Sequence, residues 1–498
     1  DAGFGASTYQ AYVTTKTNRT AAVFVGANDG MLHAFNASNG NEIFAYIPRG
    51  AYSKLIGLTS PNYTHAYSAD GPVYVSDVFI SPTGSLGTKS WRTIVTGTLG
   101  NGGPGVYALD VTDVLAGTNT VPRVIFDISG TEPASATAPN STLKSDLGYS
   151  QSKVLVLPAA GGKWVAVWGN GTNSANGYSK LLAIDVETPT SVVAIDTQAK
   201  FSNTTDNGLS GLALLPSGTG VLAYAYAGDL MGNMWKFDLT STAITSWNIP
   251  FVQGSTPKPL INVIDPSGAP QPITATPTLG RNSLKLIGGG ASATPATMIY
   301  FGTGKYSESS DNSNTQVQSI YGIADTNSAV ALANTADRTT KLRQKTIGTE
   351  STTARGLTND ANTSTIWSDP TLYGWFLDLK FTTAKGERVL SKPLLLFDRV
   401  IVNTFVASSN PCDFGGSGWL MELVGVGDVY KTHSVLGTQA NRVLDRPIIG
   451  DLLSISAGEK GVILGSELGD INTEGGITVK QQTAAAGSAG RMSWRQIK

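Results

Sequence analysis

Three histidines, one cysteine and a few turn aspartates are the residues of this 498-residue chain whose types could do chemistry. His33, His65 and His433 stand far apart and match no zinc-binding spacing. His33 alternates with apolar neighbours in "GMLHAF", which reads as a satisfied core histidine rather than a ligand or a catalyst. His65, in "YTHAYSADGPVYVSDV", precedes Asp70 and Asp77 in a long loop. A His–Asp pair could exchange protons, yet no Gly-x-Ser-x-Gly nucleophile follows it, and the alternative is hydrogen bonding between neighbouring sheets. Cys412, in "SSNPCDFGGSG", occupies a Pro/Gly turn with no local base or cation to activate its thiol. A single cysteine forms no internal disulfide and leaves the redox compartment open. "GTLGNGGPG", from Gly97, has the glycines of a phosphate cradle without the Gly-x-x-x-x-Gly-Lys-Ser/Thr frame, and reads as a hairpin turn. Asp229, in "YAGDLMGN", is one carboxylate, too little charge for a divalent cation, and reads as a turn former.

The elements that must position these residues are short strands. Gly makes up 57 of the 498 residues, charged residues 14% and apolar residues 41%, a balance that supports a large core and excludes both a disordered chain and a helical bundle. The 35 basic and 36 acidic residues are scattered without runs, and the net charge of -1 leaves no footprint for nucleic acid or anionic lipid. No apolar run approaches the roughly 18 residues of a membrane-spanning helix. The first residues, "DAGFGASTYQ", lack the regions of a signal peptide, so the chain is expected to be soluble as it stands or to follow an export signal further upstream.

Period-2 alternation from Val23 to Pro48 gives three strands, with Ala27-Asn28-Asp29-Gly30 and Ser38-Asn39-Gly40 as the turns of a meander. The same form recurs from Thr93 to Asp113, Trp164 to Thr188, Leu222 to Ser241, Met298 to Asp325, Tyr373 to Phe405, and after Gly418 and Gly461. Each copy has a strand, a glycine-centred turn, and a strand in which an aromatic or aliphatic residue precedes Asp or Glu. The spacing, roughly 35 to 70 residues, suits a propeller with loop insertions. A lone sheet exposes two apolar faces, and radial stacking buries them. The expectation is an all-β fold, a modified β-propeller with long loop insertions and minor helix, in one domain over residues 1–498. The alternative is a pair of irregular β-sandwiches. The one helix candidate is Ser328 to Gln344, "SAVALANTADRTTKLRQ".

Taken in order from Val23 to Arg495, "GANDGMLHAF", "YAGDLMGNMWKFDL", "YGWFLDL" with "GERVLSKP", "NPCDFGGSGWLMEL" and "GRMSWRQ" give a chain that resembles the C-terminal domain of the PilY/PilC family. Those are large exported proteins of bacterial type IV pili. The resemblance implies a quinoprotein-like propeller at or near the pilus tip, acting in pilus biogenesis and surface adhesion. It also implies a longer exported protein whose N-terminal region, similar to a von Willebrand factor A domain, is not part of this sequence. Family members often carry a calcium loop just before the "YAGDL" strand, with oxygen ligands at alternating positions. The corresponding run here is "LLPSGTGVLAYAYAGDL". Gly220 keeps the turn, but Leu215, Ser217, Thr219 and Ala223 stand where ligands are expected, so calcium is not expected at this loop and no other cofactor is implied.

A non-enzymatic display function follows from that resemblance. The expected partners are minor pilins at the pilus tip and a host or abiotic surface receptor, with no nucleic acid and no transmembrane segment. The expected location is extracellular, at the pilus tip or the bacterial outer-membrane surface. Propeller loops carry binding functions because a rigid scaffold tolerates insertions there. The longest, Lys54 to Asp77, Gly130 to Asp146 and Tyr306 to Gln318, are the expected contact loops, with His65, Asp70, Tyr306 and Asn314 as contact residues. Two alternatives stand beside this reading. One is a structural propeller that docks minor pilins without a receptor of its own. The other is a quinone-dependent dehydrogenase, whose vicinal cysteine pair a single cysteine cannot supply and whose Trp-docking repeat is not evident.

Overall fold

The strands form where the sequence alternates, and hydrogen bonds join them into meanders. The computed structural model describes residues 5–82, 87–131, 139–202, 204, 206–358, 364–408, 416–426, 442–444, 453–457, 460–464 and 480–483. The chain divides into two compact units, Asp1–Ala227 with Lys236–Lys258 and Arg495–Lys498, and Gly228–Trp235 with Pro259–Trp494.

In the first unit, Ala22–Gly26, Leu32–Asn36 and Glu42–Tyr46 make the three-stranded antiparallel meander expected from the sequence. Its first turn closes through Ala27 N–H to the Met31 carbonyl at 2.9 Å and Gly30 N–H to the Ala27 carbonyl at 3.2 Å, with Gly30 at φ 97°. A positive φ of this kind is why the turn is written with glycine. Two four-stranded sheets follow in meander order. One comprises Val73–Ile80, Ser90–Thr98, Gly105–Asp110 and Arg123–Ser129. The other comprises Leu155–Ala159, Lys163–Gly169, Lys180–Asp185 and Val192–Asp196. Ala213–Pro216 then pairs with Leu222–Gly228. "GTLGNGGPG" is the hairpin connection foreseen above, closed by Leu99 N–H to the Gly105 carbonyl at 3.1 Å.

Core formation follows from the faces. Leu32, Ala34, Val95, Tyr107 and Leu109 lie in one buried cluster, and Ile94, Val106, Ala108, Trp168, Leu182 and Ile184 in another. Residues 94 and 95, or 106 and 107, point to opposite faces of one strand, so the second sheet is apolar on both sides and packs against a neighbour on each. That is the stacking that makes single blades stable.

In the second unit, Thr278–Ile287, Thr294–Gly302, Ser319–Asp325 and Gly374–Asp378 are joined in that order, and Leu342–Glu350 adds parallel to Gly374–Asp378 with Arg355–Thr358 beyond it. Arg399–Asn403 pairs with Leu394–Leu396 on one side and with Gly416–Val424 on the other, and Gly416–Val424 also pairs with Val406–Ala407 and Arg442–Leu444. Leu453–Ala457, Lys460–Leu464 and Lys480–Thr483 form a further three-stranded sheet. Met298, Ile320, Trp375, Leu377, Val400, Trp419 and Met421 share its main core.

Two helical expectations need correction. Helix spans Thr335–Lys341 rather than all of Ser328 to Gln344. Val330 N–H instead bonds the Leu260 carbonyl, Asn334 caps the helix by accepting from Asp337 N–H, and Leu342 starts a strand. Sheet pairing and the burial of Val330 and Leu332 override the alanine-rich helix propensity. A second helix, Ala6–Thr15, was not expected. Its Tyr9 and Tyr12, one turn apart, pack on Trp91 with ring centroids 4.5 and 6.0 Å away. Among the described residues no helix is long and apolar enough to cross a membrane.

Candidate functional site

The recurrent aspartates are structural, and one geometry explains them. Asn36, Asp110, Asp185, Asp238 and Asp325 each end a strand and accept, through a side-chain oxygen, the backbone N–H two residues on. The distances are 2.9, 3.0, 3.1, 3.0 and 2.8 Å. Each is an Asx turn that stops the strand and satisfies the departing backbone. Asp229 does more. Fully buried, it accepts from Met231 N–H and Asn233 N–H on one oxygen, and from Asn233 Nδ2 and Trp235 Nε1 on the other, all at 2.9–3.0 Å. Its oxygens are committed to the turn.

His33 is satisfied but not in the core. Leu32 and Ala34 point inward, and His33 lies on the opposite, half-exposed face with Phe35 stacked at 5.6 Å. Its Nε2 is 2.8 Å from Asp29 Oδ2 and its Nδ1 2.6 Å from Glu42 Oε1. The Glu42 hydrogen bond, aided by Asp29 against some desolvation, raises the His33 pKa above its ordinary value.

Two of the three long loops are fully described. The first begins after the first sheet, where Tyr52–Leu55 and Ile56–Thr59 form short helical turns. Five large apolar side chains face solvent here: Tyr52, Ile56 (79% exposed), Leu58, Tyr63 and Tyr67. From Leu55 to Ala69 no Asp, Glu, Lys or Arg occurs. The base of the loop is nevertheless held firmly. Lys54 Nζ donates to the Tyr67 carbonyl at 2.7 Å and to the Gly102 carbonyl. Ser68 N–H donates to Asn28 Oδ1 at 3.1 Å, and Ala69 N–H to the Ala27 carbonyl at 3.2 Å. His65 Nε2 is 3.2 Å from Asn28 Nδ2, and its ring meets Tyr67 edge-on at 5.1 Å. Asp70 accepts from Asn101 N–H at 3.3 Å, and Asp77 is bonded to Tyr9, Lys16 and Thr93. The hydrogen-bond partner of His65 is therefore Asn28, a residue whose role the sequence did not reveal.

The second loop, Tyr306 to Gln318, is organised by Arg388 of the "GERVLSKP" motif. Its Nε donates to the Gly386 carbonyl and its two terminal nitrogens to the Lys305 and Asn314 carbonyls, at 2.8, 2.8 and 2.9 Å. Tyr306 packs on Phe405 at 4.7 Å and donates through its hydroxyl to Asn312 Oδ1 at 2.7 Å. Glu308 and Asp311 form a reciprocal capping box, and Gln316 reaches Asp265. Arg388 thus gathers Tyr306 and Asn314 into one frame. Of the third loop, Gly130 to Asp146, residues 132–138 lie outside the described set. Asn140 accepts there from Ser129 N–H at 2.8 Å. Cys412 and His433 also lie outside the described residues.

The run expected to correspond to a calcium loop is a tight hairpin turn. Ser217 N–H bonds the Val221 carbonyl at 2.7 Å, Gly220 N–H bonds the Ser217 carbonyl at 2.9 Å, and Gly220 has φ 80°. The Ser217 and Thr219 hydroxyls bond each other at 2.8 Å, Leu215 is half-buried and Ala223 buried. A hard dication that takes six to eight oxygens, several of them carboxylate, does not fit this donor set. Among the described residues no three His, Cys, Asp or Glu side chains are grouped to hold a metal. The turn instead walls an open hollow of about 700 Å³, together with Lys89, Gly161, Gly162 and Thr240.

Comparison with known proteins accounts for this architecture. Residues 4–359 match the family described as the PilY1 beta-propeller domain. The chain is 32% identical over 91% of its length to a type IV pilus biogenesis factor PilY1 homolog of Xylella fastidiosa, covering 29% of that protein. It is likewise 32% identical over 82% of its length to the type IV pilus biogenesis factor PilY1 of Pseudomonas aeruginosa strain PAO1, covering 35% of it. The chain therefore spans about a third of the length of the curated relatives it matches. The crystal structure of the Pseudomonas aeruginosa PilY1 C-terminal domain superposes with a TM-score of 0.69 at 27% identity, over 96% of this chain and 95% of that one. With its meander sheets and Asx-turn repeats, this chain belongs to the PilY1 β-propeller family.

Proposed function

We propose that the chain is the loop-displaying propeller of a type IV pilus tip-associated adhesin and assembly factor. It works by contact rather than by catalysis, outside the cell at the pilus tip or the outer-membrane surface. Kinship with type IV pilus biogenesis factors supports the setting. The single observation that carries the mechanism is the segment from Tyr52 to Tyr67, whose apolar side chains face solvent while its base is hydrogen-bonded in place. Exposed apolar groups held rigid cost little further ordering on binding, and tyrosines with an aliphatic anchor are typical of protein interfaces. His65 and Asp70 border this face, and Tyr306 and Asn314 belong to the loop framed by Arg388. Minor pilins and a surface receptor are the proposed partners.

The same reading makes the Ser217–Val221 turn a calcium-independent hairpin and requires no cofactor. A propeller that docks pilins without its own receptor uses the same loops, and differs only in losing piliation without losing attachment by existing pili. The test is substitution within the full-length parent protein. Tyr52→Ser with Ile56→Asp, and separately Tyr306→Ala, should reduce surface attachment or pilus number while the purified chain melts as the wild type does. Unchanged attachment and piliation in both variants would remove these loops from the contact surface.

A further inference from the structure

Two of the chain's three histidines bind opposite sides of one turn, Ala27 to Gly30, and they do so with opposite protonation requirements. His33 has a carboxylate at each ring nitrogen, Asp29 from the turn and Glu42 from the neighbouring strand. Both nitrogens can donate only in the imidazolium. A neutral ring would aim a lone pair at one carboxylate. The paired strand Ala22–Gly26 presents Val23 and Val25 to this face and no charge, so Asp29 and Glu42 are the titratable groups that face His33 among the described residues.

His65 is the reverse case. Ser68 N–H can only donate, and it donates to Asn28 Oδ1, which fixes the amide so that Asn28 Nδ2 faces the His65 ring. The distance of 3.2 Å is a hydrogen bond only when His65 Nε2 carries a lone pair, hence only in the neutral tautomer protonated at Nδ1. Tyr67 meets that ring edge-on, and its own carbonyl accepts from Lys54 Nζ.

We propose that this turn is a two-histidine latch: charged His33 ties its Asp29 side to the Glu42 strand, and neutral His65 ties its Asn28 side to the exposed apolar loop. A second proton on His65 would place N–H against N–H there and weaken the tie between Asn28 and the loop. Alkaline pH removes the charge on His33 and frees the turn from the strand. The sign for His33 follows from its raised affinity for the proton. Its contribution is complete below the ordinary value of 6.5 and is lost as the pH climbs through the higher value in the folded chain. The latch therefore has one tie that needs a charged His33 and one that needs a neutral His65, and the second makes presentation of the contact loop depend on the His65 proton. This consequence rests on the contact reading proposed above, whereas the latch itself does not.

Amide hydrogen exchange across pH on the whole chain tests it, with rates corrected for intrinsic exchange. Protection of the Ser68 amide should fall by roughly three- to tenfold on the acid side of the profile, the worth of one hydrogen bond. The acid step should vanish in His65→Gln, and the alkaline loss of protection at the Met31 amide should vanish in His33→Gln. A flat Ser68 profile in the wild type, or an unchanged acid step in His65→Gln, overturns the latch without needing any variant that fails to fold. Surface attachment measured over the same range separates the two readings. Loop release without any change in attachment would sink the contact reading and leave the latch supported.

Discussion

Replacing Asp229 by Asn removes one charge and one oxygen from a fully buried carboxylate. In the wild type its two oxygens accept at least four hydrogen bonds inside a site with no solvent access. Asn keeps the oxygen that accepts from the Met231 and Asn233 amides. It places an NH₂ against Asn233 Nδ2 and Trp235 Nε1, both of which are donors. Hydrogen bonds to a charged group contribute roughly 1.5–3 kcal/mol each, so losing two would cost about 3–6 kcal/mol. Rotation of the Asn233 amide restores one acceptor, which brings the expected cost to about 2–4 kcal/mol. Asp229→Ala loses all four partners and should cost more than the Asn variant. The assay is urea unfolding followed by tryptophan fluorescence, with exchange of the Trp235 indole N–H by NMR. The Asn variant should unfold at lower urea with the Met231 amide still protected and the indole exchanging at least tenfold faster, since about 1.4 kcal/mol is a factor of ten. An unchanged midpoint with an unchanged indole would refute the view that these repeat aspartates hold the blades' turns.

Arg388→Ala should release the Lys305–Asn314 segment, which loses two donated hydrogen bonds; limited proteolysis should then cut within it several-fold faster, while Arg388→Lys, without the planar fork, recovers little. Titrating Ca²⁺ into chelator-treated chain should give no saturable heat and no rise in Tm, and a shift of several degrees would show that the hydroxyl-lined turn has been misread. Acid should destabilise the chain from below about pH 4. Burial opposes the charge on Asp110, Asp265 and Glu350, but hydrogen bonds from Arg92, from Ser267 and from Lys385 with Arg355 outweigh it and hold their pKa values low. Their stabilisation is intact at neutral pH and is lost as the pH falls through those lowered values, so unfolding curves in Asp110→Asn should lose part of the acid dependence.

The meanders were legible because alternation and glycine-centred turns are local signals. The aspartates that close the strands were visible as a repeated letter, and the Asx turn is the physical cause. What escaped depends on distant chain. Val330 and Leu342 are strand-paired by partners far along the sequence, which no helix propensity encodes. The helix Ala6–Thr15 could have been found from Tyr9 and Tyr12 at one-turn spacing, but its partner Trp91 is 79 residues beyond Tyr12. His33 alternated correctly, yet alternation does not say which face is buried. His65 was read beside Asp70 and Asp77 because they are neighbours in sequence, while the fold delivers Asn28 from the preceding hairpin. Arg388 sat in a motif quoted only for resemblance, and its role as loop organiser needed three carbonyls that share no sequence pattern.

The central claim is that held loops, rather than a metal or a catalytic group, make the contact. Calorimetric titration of purified minor pilins into the chain tests it most directly, with Tyr52→Ser/Ile56→Asp and Tyr306→Ala compared against the wild type. Saturable binding to the wild type that weakens at least tenfold in one of these variants, with Tm unchanged, is the predicted result. Equal affinity in all three proteins, or binding by none, would contradict it.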